Sequence, residues 1–173
     1  NAVGAVTEDA TATTATGTIS ATDADDSAFT YTGDATGTYG SIAVASDGAW
    51  TYTLNNADAD TTALDSTDSV TDAFTMTVSD GDASDTMTVT ITVTGANDAP
   101  DAGSNAVGAV TEDATATTAT GTISATDADD SAFTYTGDAT GTYGSIAVAS
   151  DGAWTYTLDL SLIHISEPTR QAS

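Results

Sequence analysis

One feature limits the architecture of this chain more than any other: residues Asn1 to Leu54 recur, without a change, as Asn105 to Leu158. The second copy starts 104 positions after the first (105 − 1). That spacing is one ordinary domain length, so the chain reads as a tandem array of one module rather than one large fold. The joint between the copies falls at Gly95-Ala96-Asn97-Asp98-Ala99-Pro100.

Within the first copy the apolar residues follow a period of two. Val3 to Thr16 is rich in Ala and Thr and predicts a short first strand or linker. Thr18 to Thr22 alternates and runs into the polar loop Asp23-Ala24-Asp25-Asp26. Phe29 to Thr32 alternates again, and Tyr39 to Val44 leads through Ser46-Asp47-Gly48 into Trp50-Thr51-Tyr52-Thr53-Leu54. An Asp-Gly pair between two alternating runs signals a hairpin, because Gly supplies the positive φ that such turns need. Asn55 to Ser69 is polar with one apolar anchor at Leu64. Val70, Asp72, Phe74, Met76 and Val78 then share one face of a strand, and Met87, Val89, Ile91 and Val93 share one face of the next. The acidic loop Ser79 to Asp85 joins them. About seven short strands with no helical periodicity predict an all-β fold, an antiparallel β-sandwich of the immunoglobulin type, repeated in tandem.

Composition narrows the partners. The chain has 26 acidic residues and one basic residue, for a formal charge of −25, and it has neither Cys nor Lys. Disulfides and Lys-based isopeptide cross-links are therefore excluded. So much negative charge repels nucleic acid and acidic lipid headgroups, and no apolar run is long enough to insert in a membrane. At 39% hydrophobic the chain is too apolar and too regular for a disordered acidic tail. Cations are the partners it suits.

The composition changes near Leu160. His164, Arg170 and Pro168 all lie in the last 14 residues, and Leu160 to Arg170 resembles the translation of a sequencing-library adapter. Residues 160–173 are accordingly read as a non-native tail. The expected layout is a complete repeat at 1–100, a linker at 101–110 and a truncated repeat at 111–159. With no leader after Asn1, the chain reads as an internal piece of a longer protein.

Three acidic groups stand out as candidate ligands: Asp23 with Asp25 and Asp26, Asp80 with Asp82, and Asn97-Asp98 with Glu8-Asp9. Loops of a sandwich cluster at its two ends, so acids distant in sequence can converge there. Two carboxylates about 4 Å apart repel by roughly 4 kcal/mol at an effective dielectric near 20, and the module has no Lys or Arg to relieve them. An oxygen-only ligand set suits Ca²⁺; zinc and copper want His or Cys, and Mg²⁺ wants tighter octahedral geometry. Asp34, Asp47, Asp58, Asp60, Asp65 and Asp68 read instead as solvated turn acids.

Taken in order, Gly17-Thr18-Ile19, Asp23-Ala24-Asp25, Tyr39-Gly40, Asp47 to Leu54, Asp80-Gly81 and Gly95 to Pro100 resemble the VCBS repeat, a module of large secreted bacterial adhesins. The layout is also similar to that of cadherin repeats, which hold calcium between successive domains. That resemblance implies calcium ligands at Asp23, Asp25 and Asp80, at Asn97 and Asp98 of the linker, and at Glu8. In the second copy it implies Glu112, Asp127 and Asp129, the last two meeting the Asn97-Asp98 linker. Gly95 stands where the cadherin linker has its leading Asp, and the number of ions per joint is left open.

The resemblance thus implies a calcium-rigidified spacer at the bacterial cell surface, acting in adhesion or biofilm attachment. Its partners would be the neighbouring repeats and, through other domains, cell-surface or matrix components. The alternative is a carbohydrate- or ligand-binding module with Trp50, Tyr52 and Tyr31 as an aromatic platform, although such alternation is more often core. Catalysis is not expected, since nucleophile–base pairs of the usual kinds need residues the module lacks.

Overall fold

The computed structural model describes residues 2–161; most of the tail singled out above, from residue 162 onward, lies outside the described residues. The chain divides into two compact units, Asn1–Ala99 and Pro100–Ser173.

Unit 1 carries eight strands and one helical turn: β1 (Ala2–Thr7), β2 (Thr14–Thr18), β3 (Thr30–Thr32), β4 (Ala35–Thr36), β5 (Gly40–Val44), β6 (Ala49–Leu54), α1 (Ala59–Thr62), β7 (Ser69–Ser79) and β8 (Ser84–Thr94). They form two four-stranded sheets, ordered β1-β8-β7-β3 and β2-β6-β5-β4. All neighbours are antiparallel except β1 and β8, which run parallel from Ala2↔Val89 to Thr7↔Thr94. This is the expected sandwich with one parallel edge pair. The two inner faces meet in a core that includes Trp50, Tyr52, Phe74, Met76, Val89 and Ile91, while the Thr residues between them on β6 and β7 stand mostly outward. Trp50, Tyr52 and Tyr31 are 2%, 0% and 6% exposed. In unit 1 these rings are core, which removes the aromatic platform on which the carbohydrate reading rested.

The Asp47-Gly48 hairpin forms as its sequence dictates. Gly48 has φ 87°, its N–H bonds the Ala45 carbonyl at 2.9 Å, and the Asp47 carboxylate accepts from Ala49 N. The strand expected at Thr18 to Thr22 lies earlier. β2 pairs Thr14↔Thr53 through Thr18↔Ala49, so its ladder ends where β6 begins. Past that point Ile19 N bonds only the turn carbonyl of Gly48, and Ile19 reaches the core without belonging to a strand. β4 and α1 were not expected. β4 is two residues long, and α1 is one turn capped by Asp58, whose side chain accepts from Asp60 N.

Unit 2 contains β9 (Thr118–Thr122), β10 (Ala139–Thr140), β11 (Gly144–Val148) and β12 (Ala153–Leu158) in the order β10-β11-β12-β9. These are the counterparts of β4, β5, β6 and β2, with the same register. Among the described residues unit 2 has no counterpart of β7 or β8. The residues identical to β1 and β3, 106–111 and 134–136, are not strands. Those two strands find their ladder partners only in β8 and β7, so they form only where that hairpin is present.

Candidate metal centres

The acidic loop after β2 is folded by its own first residue. Asp23 Oδ1 accepts from Asp25 N at 3.0 Å and Asp26 N at 3.2 Å, an Asx-type turn that Asp favours. This wraps the chain so that carboxylate oxygens of Asp23, Asp25 and Asp26 lie within 4.8 Å of one another. The bonds from Asp25, backbone first, hold the Asp23 carboxyl below its ordinary value. Asp80 heads the β7–β8 loop in the same style, accepting from Ala83 N at 2.7 Å and Asp82 N at 2.9 Å, and these bonds lower its carboxyl too. Asp23 and Asp80 line one cleft of about 450 Å³ with Phe29, Val78 and Asp85. The negative charge of Asp23 opposes ionisation of Asp80. Two loops 57 positions apart (80 − 23) thus bring like charges to one end of the sandwich.

Glu8, Asn97 and Asp98 lie at the other end. β1 and β8 run parallel, and β8 extends 11 residues from the Asp80 loop, on the order of 35 Å at the rise of a strand. Glu8 follows β1 there, 2% exposed, with its N–H on the Thr94 carbonyl and its Oε2 accepting from Ala96 N at 3.2 Å. Asn97 Nδ2 donates to the Asp98 carbonyl oxygen. The predicted ligands of unit 1 therefore separate into two poles: Asp23, Asp25 and Asp80 at one, Glu8, Asn97 and Asp98 at the other.

Unit 2 rebuilds the acidic loop of the first pole. Asp127, Asp129 and Asp130 cluster within 4.8 Å, with Asp127 Oδ1 accepting from Asp129 N and Asp130 N at 3.1 Å each. The side chain of Asp129, ahead of its backbone, lowers the Asp127 carboxyl. Asp101, to which the sequence reading gave no role, exchanges backbone hydrogen bonds of 2.8 and 2.9 Å with Thr126, which fixes the start of the unit beside that loop. Glu112, identical in sequence context to the buried Glu8, is exposed.

The sequence reading also gave no role to Asp72. It sits on the core face of β7 at 4% exposure, accepting from Thr38 N at 2.9 Å, Tyr39 N at 3.1 Å and Tyr52 Oη at 2.9 Å. Burial first, and then the Asp72 bond, push the Tyr52 phenol far above its usual value. Asp72 ties the two sheets together. The signal was present: an acid in the core-facing register between Val70 and Phe74.

The fold and its acidic poles define a class, tandem β-sandwich repeats of the immunoglobulin and cadherin kind. A bacterial cadherin-like domain model matches residues 1–95, and a bacterial Ig domain model matches residues 97–164. The chain belongs to the bacterial cadherin-like domain family. Among solved structures, it is similar to the EC1-4 segment of Drosophila N-cadherin at 17% identity, with 80% of this chain and 34% of that one covered and a TM-score of 0.43. The EC1-4 segment of PcdhgB3 matches at 16% identity, 91% and 41% coverage and a TM-score of 0.44. The extracellular domain of protocadherin GammaB4 matches at 15%, 77% and 21%, and 0.42. The chain thus spans less than half the length of these structures. No curated protein matches it.

Proposed function

We propose that the chain is a calcium-binding structural repeat of a secreted bacterial adhesin, a spacer outside the cell whose joints are stiffened by the ion. The observation that carries this reading is the cluster of Asp23, Asp25 and Asp26 together with the cleft that Asp23 shares with Asp80. No Lys or Arg lies among the described residues to offset them. The donor set fits calcium: it is all oxygen, and the Asp23 and Asp80 carboxyls are held toward the ionised form by backbone N–H groups. Bound there, the ion would neutralise the repulsion between the two loops. At the opposite pole Glu8, Asn97 and Asp98 would serve the following joint, with Asp127 and Asp129 beyond it; Glu112 would serve the corresponding later pole. The role in cell adhesion or biofilm attachment rests on the cadherin-like family membership and on the tandem repeat.

Melting and solution scattering of the chain in about 10 mM calcium and in chelator test the proposal. Extracellular calcium modules bind at about 10⁻⁴–10⁻³ M, so saturation at that concentration stabilises by about 1.4–2.7 kcal/mol. For a module of this size that is a rise of roughly 6–20 °C. Asp23→Asn combined with Asp25→Asn is expected to remove the unit 1 response. Identical melting curves with and without calcium would refute the reading.

A further inference from the structure

Asp23 and Asp80 reach their shared cleft from different sheets, and one residue is tied to both approaches. The Asp23 loop follows β2 in one sheet, and the Asp80 loop joins β7 to β8 in the other. Tyr31 stands between them on β3. Its backbone lies opposite Val78 of β7, two residues before Asp80. Its side chain is buried, and the hydroxyl accepts from Ala21 N at 2.8 Å, two residues before Asp23. Residues 19–22 belong to no strand. The Ala21 bond holds them together with the 2.9 Å bond from Ile19 N to the Gly48 carbonyl. The tyrosine is itself seated on the Asp47-Gly48 turn: its N–H bonds the Ser46 carbonyl at 3.3 Å, and a Cβ on Gly48 would come within 3.2 Å of the ring.

The second copy repeats this clasp. Tyr135 Oη accepts from Ala125 N at 2.8 Å, and Ile123 N bonds the Gly152 carbonyl at 2.9 Å. A Cβ on Gly152 would again come within 3.2 Å of the ring. Residues 134–136 are not a strand there, so the hydroxyl bond does not depend on the β3 ladder. Phe would fill the same core space; the hydroxyl oxygen adds an acceptor for a segment that has left its sheet.

We infer that Tyr31 is a positioning residue of the cleft: its hydroxyl fixes the Asp23 loop and its backbone fixes β7 ahead of Asp80, so the approach of the two carboxylates is set by a side chain that would touch no ion. Like charges push these loops apart, and the Ala21 bond acts against that push. Without it the turn made by Asp23 stays intact, because its bonds lie within the loop, but the turn as a whole moves away from Asp80. An ion must then restore the approach and binds more weakly. The effect on calcium rests on the function proposed above; the effect on the loop does not.

The test uses the whole chain carrying Asp127→Asn and Asp129→Asn, which distinguishes the unit 1 loop from its twin, and follows amide resonances through a calcium titration. Tyr31→Phe is expected to raise the calcium midpoint read at Asp25 and Asp26 about threefold, the lower end of what one hydrogen bond is worth. Tyr135→Phe, the same change in the other copy, should leave that midpoint alone. So should Ile42→Val, a core truncation on β5 that lowers stability without touching the cleft. In chelator, Tyr31→Phe should shift the amide resonances of Thr22 and Asp23. Unmoved resonances, a midpoint equal to the parent's, or an equal weakening by Ile42→Val would each overturn the inference. If the parent shows no calcium response while Tyr31→Phe still moves the loop in chelator, the calcium reading fails and the positioning of the Asp23 loop by Tyr31 stands.

Discussion

Asp72 offers the sharpest test of how the sandwich is held together. Replacing it by Ala removes the common acceptor of three hydrogen bonds, from Thr38 N, Tyr39 N and Tyr52 Oη. A buried donor left without a partner costs about 1–3 kcal/mol. Tyr52 is 0% exposed, so its hydroxyl cannot turn to water and incurs a cost of about 2 kcal/mol. The two part-buried N–H groups recover some hydration and lose about 0.5 kcal/mol each. Together these give a loss of about 3 kcal/mol. For a domain of this size the unit 1 melting point should fall by roughly 12–24 °C. Calorimetry of the whole chain reads this with an internal reference, because unit 2 contains no counterpart of Asp72 among its described residues and its transition should stay in place. Adding Tyr52→Phe to Asp72→Ala removes the orphaned hydroxyl and should restore about 1–2 kcal/mol relative to Asp72→Ala alone. A unit 1 transition within about 3 °C of the parent for Asp72→Ala would refute the idea that this carboxylate ties the sheets.

Two further outcomes follow from the geometry. A Cβ on Gly17 would sit 2.5 Å from Trp50 Cζ2, and on Gly121 it would sit 2.6 Å from Trp154 Cζ2; Gly17→Ala should lower the denaturant midpoint of unit 1 by an overpacking cost of about 1–3 kcal/mol. Gly121→Ala should cost unit 2 less, since the open cleft beside Trp154 gives the ring room to move. In acid, the Asp80 carboxyl has a folded value below its ordinary 3.8 because Ala83 N and Asp82 N hold the charged form. Its contribution is therefore fully present above about pH 4 and is lost as pH falls through the lowered value. The melting difference between the parent and Asp80→Asn should be constant from pH 7 to about pH 5 and shrink below about pH 4; a difference that grows in acid would refute the assignment.

The strands that could be read from the sequence are those whose faces alternate strictly and whose ends carry their own turn chemistry. β7 and β8 alternate over most of their 11 residues, and β5 and β6 flank the Asp47-Gly48 turn. β2 escaped that logic. Its residues, Thr-Ala-Thr-Gly-Thr, carry no large apolar side chain, because the Trp50 ring occupies the space above Gly17. Alternation around Ile19 pointed to the wrong register by several residues. β4 is too short to have a period, and α1 is specified by a cap at Asp58 rather than by a stripe of apolar residues. Asp72 was visible as a polar residue in an apolar register, but its partners Thr38 and Tyr39 lie more than 30 positions away, and only the sandwich brings them together.

The repeat also separates what local chemistry decides from what tertiary structure decides, since the same residues are seen in two settings. The acidic loop is local. Asp127 collects the N–H groups of Asp129 and Asp130 in unit 2 as Asp23 collects those of Asp25 and Asp26 in unit 1, although the β7–β8 hairpin is present in one unit only. Its carboxylates therefore cluster wherever the segment occurs, which is why their spacing in the sequence was enough to propose a site. The other pole is not local. Glu8 is buried because β1 lies along β8 and brings it to Thr94 and Ala96, whereas Glu112, without that neighbour, is exposed. Strand propensity in 106–111 is the same as in 2–7, yet only the latter forms a strand, as expected when pairing and burial outweigh intrinsic preference. A carboxylate cradle at one end of the module is thus written into a few consecutive residues. The pole at the other end exists only once the second half of the module has folded over the first.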